Sequence, residues 1–323
     1  MKLLADLPIA TTPRDTVRRV AGLRLLRFGG ARAGTGPAIL LVPSLINRWY
    51  VLDLRPGASL VEALLGAGFD VYALDWGVGG DEDRHLTWDD LATRLARAVR
   101  WTCGDSGQAR ISILGYSMGA TLAAITTSLD PSRISAFVNL IGPIDFERIG
   151  GSRAMVDERW FDLEAIASAG NIAPAQVRAG FIALHPTVWW RKAFDFAERA
   201  HDPVAREAFA CVETWVNDNV PFPAAAYVRY VQALYRNNEL VRGTHHVLGR
   251  RVDLRRITCP TLVITAAQDE ICPPAAAQAL REHVGTDDVT LLPLDGGHVG
   301  AVVGHTARDE LYPALTDWLK AKL

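Results

Sequence analysis

Cysteine is scarce and scattered in this chain of 323 residues. Cys103, Cys211, Cys259 and Cys272 are the whole complement, and no two form a C-x-x-C pair. That spacing provides neither a disulfide frame nor a zinc knuckle, so reduced thiols in a cytoplasmic protein are expected. Long apolar runs are missing too; none reaches the roughly 20 residues a spanning helix needs. Met1 to Ala5 begins as a targeting segment would, but Asp6 and Pro8 interrupt it before an apolar core forms. An excess of one charge is lacking: the net charge is -2, which gives no electrostatic attraction to nucleic acid. There is no phosphate loop, no dinucleotide fingerprint and no histidine pair at metal-ligand spacing. No cofactor and no metal are therefore expected. Internal repeats and low-complexity segments are absent as well. What remains is ordinary globular composition, 49% hydrophobic and 22% charged, enough for one large core or a core with an inserted subdomain.

Against that background one stretch stands out. Ile111, Ile113 and Leu114 form a strand-type apolar run that meets Gly115-Tyr116-Ser117-Met118-Gly119. A run of small, helix-compatible residues follows. This is G-x-S-x-G in the strand–turn–helix context that gives the motif meaning. The glycines are needed because the turn leaves no room for Cβ atoms beside the serine. The turn raises the Ser117 hydroxyl at the carboxyl end of a central strand, and the helix behind it turns its N-terminal amides toward developing negative charge.

The rest of the chain supplies a frame for that turn. Thr12 to Asp15 reads as a turn or helix start, and Leu23–Phe28 as an edge strand. Ala38–Val42, Phe69–Asp75 and Ser135–Ile141 are short apolar strands, as buried parallel strands should be. Helical patterns at Ser59–Ala67 and Thr87–Trp101 separate them, which predicts a parallel sheet with right-handed crossovers. The period then changes. Residues 147–246 show helical patterns and many aromatics, among them Trp160, Trp189, Trp190, Phe194, Phe196, Trp215, Tyr227, Tyr230 and Tyr235, mostly expected in the core. This block is too long for a loop and reads as a helical cap between two parts of a core, 1–146 and 247–323. Strands resume at Thr261–Thr265 and Val289–Leu292, and Arg308–Leu319 closes the chain as a surface helix.

A serine hydroxyl needs a base, and the base needs an orienting acid. In this architecture their order is Ser, then Asp or Glu, then His. Asp269 directly follows the Thr261–Thr265 strand, with Glu270 and Asp295 as competing acids. His298, in Gly296-Gly297-His298-Val299-Gly300, follows the next strand. His245 and His246 beside the cap boundary read as solvent-exposed, His85 and His201 as surface residues; His283 and His305 lack the strand and glycines. Oxyanion donors are expected from the Met118 amide and from the loop after Ala38–Val42. Pro43 has no N–H, which leaves Leu45, with Ser44 as the alternative. Trp49 and Tyr50 are candidates for a pocket mouth, and Asp53 and Arg55 for a structural pair.

At these residues the chain resembles the catalytic subunit of polyhydroxyalkanoate synthases, most of all the short two-component (class III) type. The likeness runs nearly end to end. It is carried by Val42-Pro43 with Ile46-Asn47-Arg48-Trp49-Tyr50-Val51-Leu52-Asp53-Leu54, by Trp215 with Asp218, and by Tyr235-Arg236-Asn237-Asn238-Glu239-Leu240-Val241. Asp269-Glu270-Ile271-Cys272-Pro273 and Gly297-His298-Val299-Gly300 complete it. The resemblance implies an α/β-hydrolase fold, with Ser117 as nucleophile, Asp269 as acid and His298 as base. With the aromatic density of the cap, it also points to a homodimer through that cap. The chain departs from the family at the nucleophile, which is cysteine in a G-x-C-x-G-G setting there; here Ser117 and Ala120 stand instead. A seryl oxoester is a less reactive acyl donor than a thioester. The first expectation is therefore a serine hydrolase acting on esters, thioesters or polyester oligomers. A synthase-like acyltransferase using hydroxyacyl thioesters is the second, and a non-catalytic partner or granule-binding subunit the third.

Overall fold

The computed structural model describes residues 7–30, 35–184 and 201–323. Eight strands form the central sheet. They are β1 (Arg14–Val20), β2 (Leu23–Phe28), β3 (Ala38–Val42), β4 (Asp70–Asp75), β5 (Ile111–Tyr116), β6 (Ile134–Leu140), β7 (Thr261–Ala266) and β8 (Val289–Leu294). Their spatial order is β1-β2-β4-β3-β5-β6-β7-β8. β2 runs antiparallel to both of its neighbours; every later pairing is parallel. This is the α/β-hydrolase fold.

All residues of β3, β4, β5 and β7 are buried, because helices cover both faces of the sheet. Helix α1 (Leu60–Gly66) and the C-terminal helix pack on one face. Helices α2 (Trp88–Ser106) and α3 (Met118–Leu129) pack on the other. Local chemistry sets their starts. Ser59 Oγ accepts the Glu62 amide at 3.0 Å, an N-cap for α1. Thr87 and Asp90 exchange side-chain and backbone hydrogen bonds in a capping box, and α2 ends at Gly107 with φ 72°, a left-handed stop that costs glycine no Cβ strain.

Three expectations change here. Arg14–Val20 is a strand, not a turn or helix start, and it takes the sheet edge; Leu23–Phe28 lies inside it. β1 is exposed along nearly all its length, so it carries no apolar period by which to recognise it. Asp53 does not pair with Arg55. Its buried carboxylate accepts the Thr12 and Ser59 hydroxyls, each at 2.6 Å, tying the N-terminal segment to the cap of α1.

Between β6 and β7 the described residues are mainly helical: Gly151–Met155, Leu163–Ser168, Pro174–Leu184, Pro203–Asn217 and Ala224–Tyr230. Tyr230 sits among Trp88, Phe146, Phe222 and Tyr235, with ring centroids 5.2–6.2 Å apart, which joins this block to the core. Trp160 is exposed; Trp189, Trp190, Phe194 and Phe196 lie outside the described residues. His245, expected at the surface, is fully buried. Its Nδ1 lies 3.1 Å from Glu239 Oε2, and burial holds its pKa below the ordinary histidine value. Glu239 also takes two hydrogen bonds from Arg229.

Among the described residues no helix is long and apolar enough to cross a membrane.

Candidate active site

Ser117 links β5 to α3 with φ 55° and ψ -128°. A non-glycine residue there is strained by about 1–3 kcal/mol, and such strain persists only where the surroundings over-determine it. Those surroundings are glycines and backbone. A Cβ on Gly115 would run into Ala120 Cα, and one on Gly119 would lie 2.5 Å from the Pro43 carbonyl oxygen and closer still to that of Val42. A Cβ on Gly142, in the loop after β6, would strike the Ala120 methyl. Gly142 therefore leaves the space that Ala120 fills. Asn139 holds this loop: its amide donates to Gly142 O at 3.0 Å, and its oxygen accepts the Gly142 amide at 2.8 Å. Nothing in the sequence singled out Asn139 or Gly142, because their role depends on a contact across strands.

The tight fit at Gly119 makes a testable demand. Gly119→Ala has no flexible side chain to push aside, only the backbone of β3 and its loop. We expect it to destabilise the fold by about 1–3 kcal/mol, as overpacking does, and to lower turnover beyond the loss of folded protein. Thermal melts alongside active-site titration check this; an unchanged melting temperature would contradict the packing described here.

Three side chains distant in sequence converge on this turn. His298 Nε2 lies 2.9 Å from Ser117 Oγ. His298 Nδ1 lies 2.6 Å from Asp269 Oδ2. The other Asp269 oxygen accepts the amides of Ile271 and Cys272 at 2.9 and 2.8 Å, so the carboxylate is fully buried yet satisfied on both oxygens. The competing acids Glu270 and Asp295 are exposed. Asp269 follows β7 and His298 follows β8, so parallel strands deliver both groups to the sheet edge where Ser117 emerges. Tyr116 flanks His298, with its ring centroid 5.5 Å from the imidazole and its hydroxyl 3.4 Å from the His298 carbonyl oxygen.

Met118 is the first residue of α3, a position whose amide has no partner within the helix. The loop holding Ser44 and Leu45 follows Pro43, whose carbonyl accepts Trp76 Nε1 at 3.1 Å and abuts Gly119. The amides expected to bind an oxyanion thus lie on two segments in mutual contact. Further along, the same loop is fastened to the block between β6 and β7. The Val220 amide donates to Ile46 O at 3.0 Å, Trp215 Nε1 to Arg48 O at 2.8 Å, and the Tyr50 hydroxyl to Asp218 at 2.7 Å; Asn47 pairs with Asn219. Trp49 and Tyr50 are buried at this junction, and both border a cavity there together with Arg14, Arg24 and Arg48.

No cysteine offers a rival nucleophile. All four are free and buried, and burial pushes each thiol pKa up, that of Cys259 to about 11. Among the described residues no group of His, Cys, Asp and Glu is arranged to hold a metal ion.

Residues 37–304 match the family model described as the alpha/beta hydrolase fold. The chain is 30% identical to the poly(3-hydroxyalkanoate) polymerase subunit PhaC of Allochromatium vinosum over 96% of this chain and 89% of that protein. The chain belongs to the PhaC family. PhaC of Synechocystis sp. is likewise 30% identical, with 98% and 86% of the two chains covered. PhaC of Haloferax mediterranei is 31% identical over 98% of this chain, which spans 65% of that relative's length. Among solved structures, a hydrolase from Pseudomonas aeruginosa superposes with a TM-score of 0.58 at 20% identity, covering 95% of this chain and 98% of the other. A monoacylglycerol lipase of Paleococcus ferrophilus gives 0.55 at 17%, covering 93% and 99%. At such identities these two structures bear on fold alone. The PhaC relatives shift the weight from ester hydrolysis to acyl transfer.

Proposed function

We propose that this PhaC-family chain is an acyltransferase that takes hydroxyacyl groups from thioesters onto Ser117. The observation that carries the reading is the hydrogen-bonded series Ser117–His298–Asp269 in a chain whose relatives are named polymerases. Ser117 Oγ attacks the thioester carbonyl as His298 Nε2 removes its proton. Asp269 holds the imidazole with its other proton on Nδ1 and stabilises the imidazolium. The amides of Met118 and Leu45 receive the negative charge on the carbonyl oxygen. Collapse expels the thiol, which takes the proton from His298, and leaves a seryl ester. A hydroxyl of a second hydroxyacyl unit then attacks that ester as His298 removes its proton; the acyl bond to Ser117 Oγ breaks, and His298 returns the proton to the serine oxygen.

Hydrolysis is the second reading, favoured by the hydroxyl at position 117. Water and the incoming hydroxyl compete for the same ester, and an oxoester reacts more slowly with either than a thioester does. Ser117→Cys separates the two readings. The variant is expected to turn over hydroxybutyryl-CoA with a larger share of chain-extended product and a smaller share of free acid than wild type, as read by mass spectrometry. Free acid as the sole product of both proteins would reject acyl transfer in favour of hydrolysis.

A further inference from the structure

Residues 43–48, which carry the expected oxyanion donor, belong to no helix or strand. A backbone amide stabilises a forming oxyanion best when its direction is fixed beforehand. The core fixes the start of this loop: the Pro43 carbonyl accepts Trp76 Nε1 and abuts Gly119. Beyond Leu45, the carbonyls of Ile46 and Arg48 and the side chains of Asn47 and Tyr50 all bond to one short segment, residues 215–220. Asn47 and Asn219 also form an antiparallel backbone bridge. That segment is itself anchored a few residues on. Phe222 and Ile172 exchange two backbone hydrogen bonds of 2.9 and 3.0 Å. The buried Phe222 ring meets Tyr227 and Tyr230 edge to face, with centroids 5.7 and 6.2 Å away.

The Tyr50–Asp218 bond differs from the others in one respect. The Asp218 side chain is 43% exposed, so without the Tyr50 hydroxyl its carboxylate turns to water and little stability is lost. We propose that Tyr50 and Asp218 are positioning residues for the reaction at Ser117. Their bond, with the Asn47–Asn219 bridge, braces the loop so that the Leu45 amide faces the carbonyl oxygen as the acyl carbon is attacked. This deepens the acyl-enzyme reading and rests on it, with Leu45 as donor. Loss of an oxyanion donor costs about 10²–10³-fold, and a displacement of about 1 Å about 10²-fold. Loosening one tie of the brace should cost less, about tenfold. The amide's contact strengthens only as charge develops on the oxygen, so the loss should fall on kcat and spare KM.

Tyr50→Phe, Asp218→Ala and Asp218→Asn in the full chain test the brace. Thiol release from hydroxybutyryl-CoA gives kcat and KM, and reads the same whether water or a hydroxyl takes the acyl group. Affinity for a trifluoromethyl ketone of the same acyl chain is measured alongside. Ser117 Oγ adds to the ketone carbonyl, His298 takes the proton, and the carbonyl oxygen becomes an anion placed as in the reaction. In Tyr50→Phe and Asp218→Ala, kcat and ketone affinity should both fall about tenfold, with KM close to wild type. An asparagine oxygen still accepts the Tyr50 hydroxyl, so Asp218→Asn should recover most of both. Tyr50→Phe/Asp218→Ala should be no worse than either single variant, since both remove the same bond. A lowered melting temperature with wild-type kcat and ketone affinity would make the bond structural only and overturn the proposal. Additive losses, or a loss confined to KM, would overturn it as well. If the wild-type protein neither releases thiol nor takes up the ketone, the acyl-enzyme reading fails and the proposal with it. If wild type does both and the variants match it, the brace alone fails.

Discussion

Ser117→Ala is expected to lower turnover of a hydroxyacyl thioester by about 10⁶-fold, the scale seen when a serine nucleophile is removed from an intact triad. Only the hydroxyl proposed to form the acyl bond is lost. Alanine keeps the Cβ, and so keeps the strain at φ 55°. Its melting temperature should therefore stay close to that of wild type. Ser117→Gly refines the point. Glycine adopts positive φ without a Cβ clash, so this variant should be equally inactive yet more stable than Ser117→Ala, by about 1 kcal/mol. A wild-type rate in Ser117→Ala would remove this serine from the chemistry. Equal stability of the two variants would show that the turn stores no strain.

Asp269→Asn is expected to cost about 10⁴-fold in turnover with the fold retained. The reason lies in the partners of the carboxylate. One oxygen accepts the Ile271 and Cys272 amides, so the asparagine oxygen is held on that side. Its NH₂ then faces His298 Nδ1. Two donors cannot share one hydrogen bond, so the imidazole must carry its proton on Nε2, the nitrogen next to Ser117 Oγ. In that tautomer it cannot accept the serine proton. Glu270→Gln, at an exposed position one residue on, should cost far less. Comparable losses in the two variants, measured as kcat at saturating thioester, would contradict the assignment of the acid.

How much of this was legible in the sequence depends on how local each signal is. The Ser117 turn could be read because strand, two glycines and helix fall within fifteen consecutive residues. Asp269 and His298 could be read because each follows a short buried strand, and parallel strands bring their carboxyl ends to one edge. β1 could not be read, since its exposed residues carry no apolar period. The burial of His245 was missed because a histidine beside an Arg-Gly-Thr stretch looks solvated. Gly142 and Asn139 gave no sign because their role depends on a distant neighbour. Their value comes from Ala120, a neighbour across the strands. That contact also accounts for the departure from G-x-C-x-G-G: the added methyl of Ala120 lies where Gly142 has no side chain. The hydrogen bonds from Trp215, Val220 and Tyr50 that bind the loop to the block between β6 and β7 involve residues about 170 positions apart. The resemblance marked both segments without showing that they touch.

The most direct test of the account is the mass of the protein itself. Wild type mixed with hydroxybutyryl-CoA and quenched in acid should carry one or more hydroxybutyryl units, and peptide mapping should place them on Ser117. An unmodified serine under turnover conditions, or an acyl group on any of the four cysteines, would contradict the covalent route through Ser117.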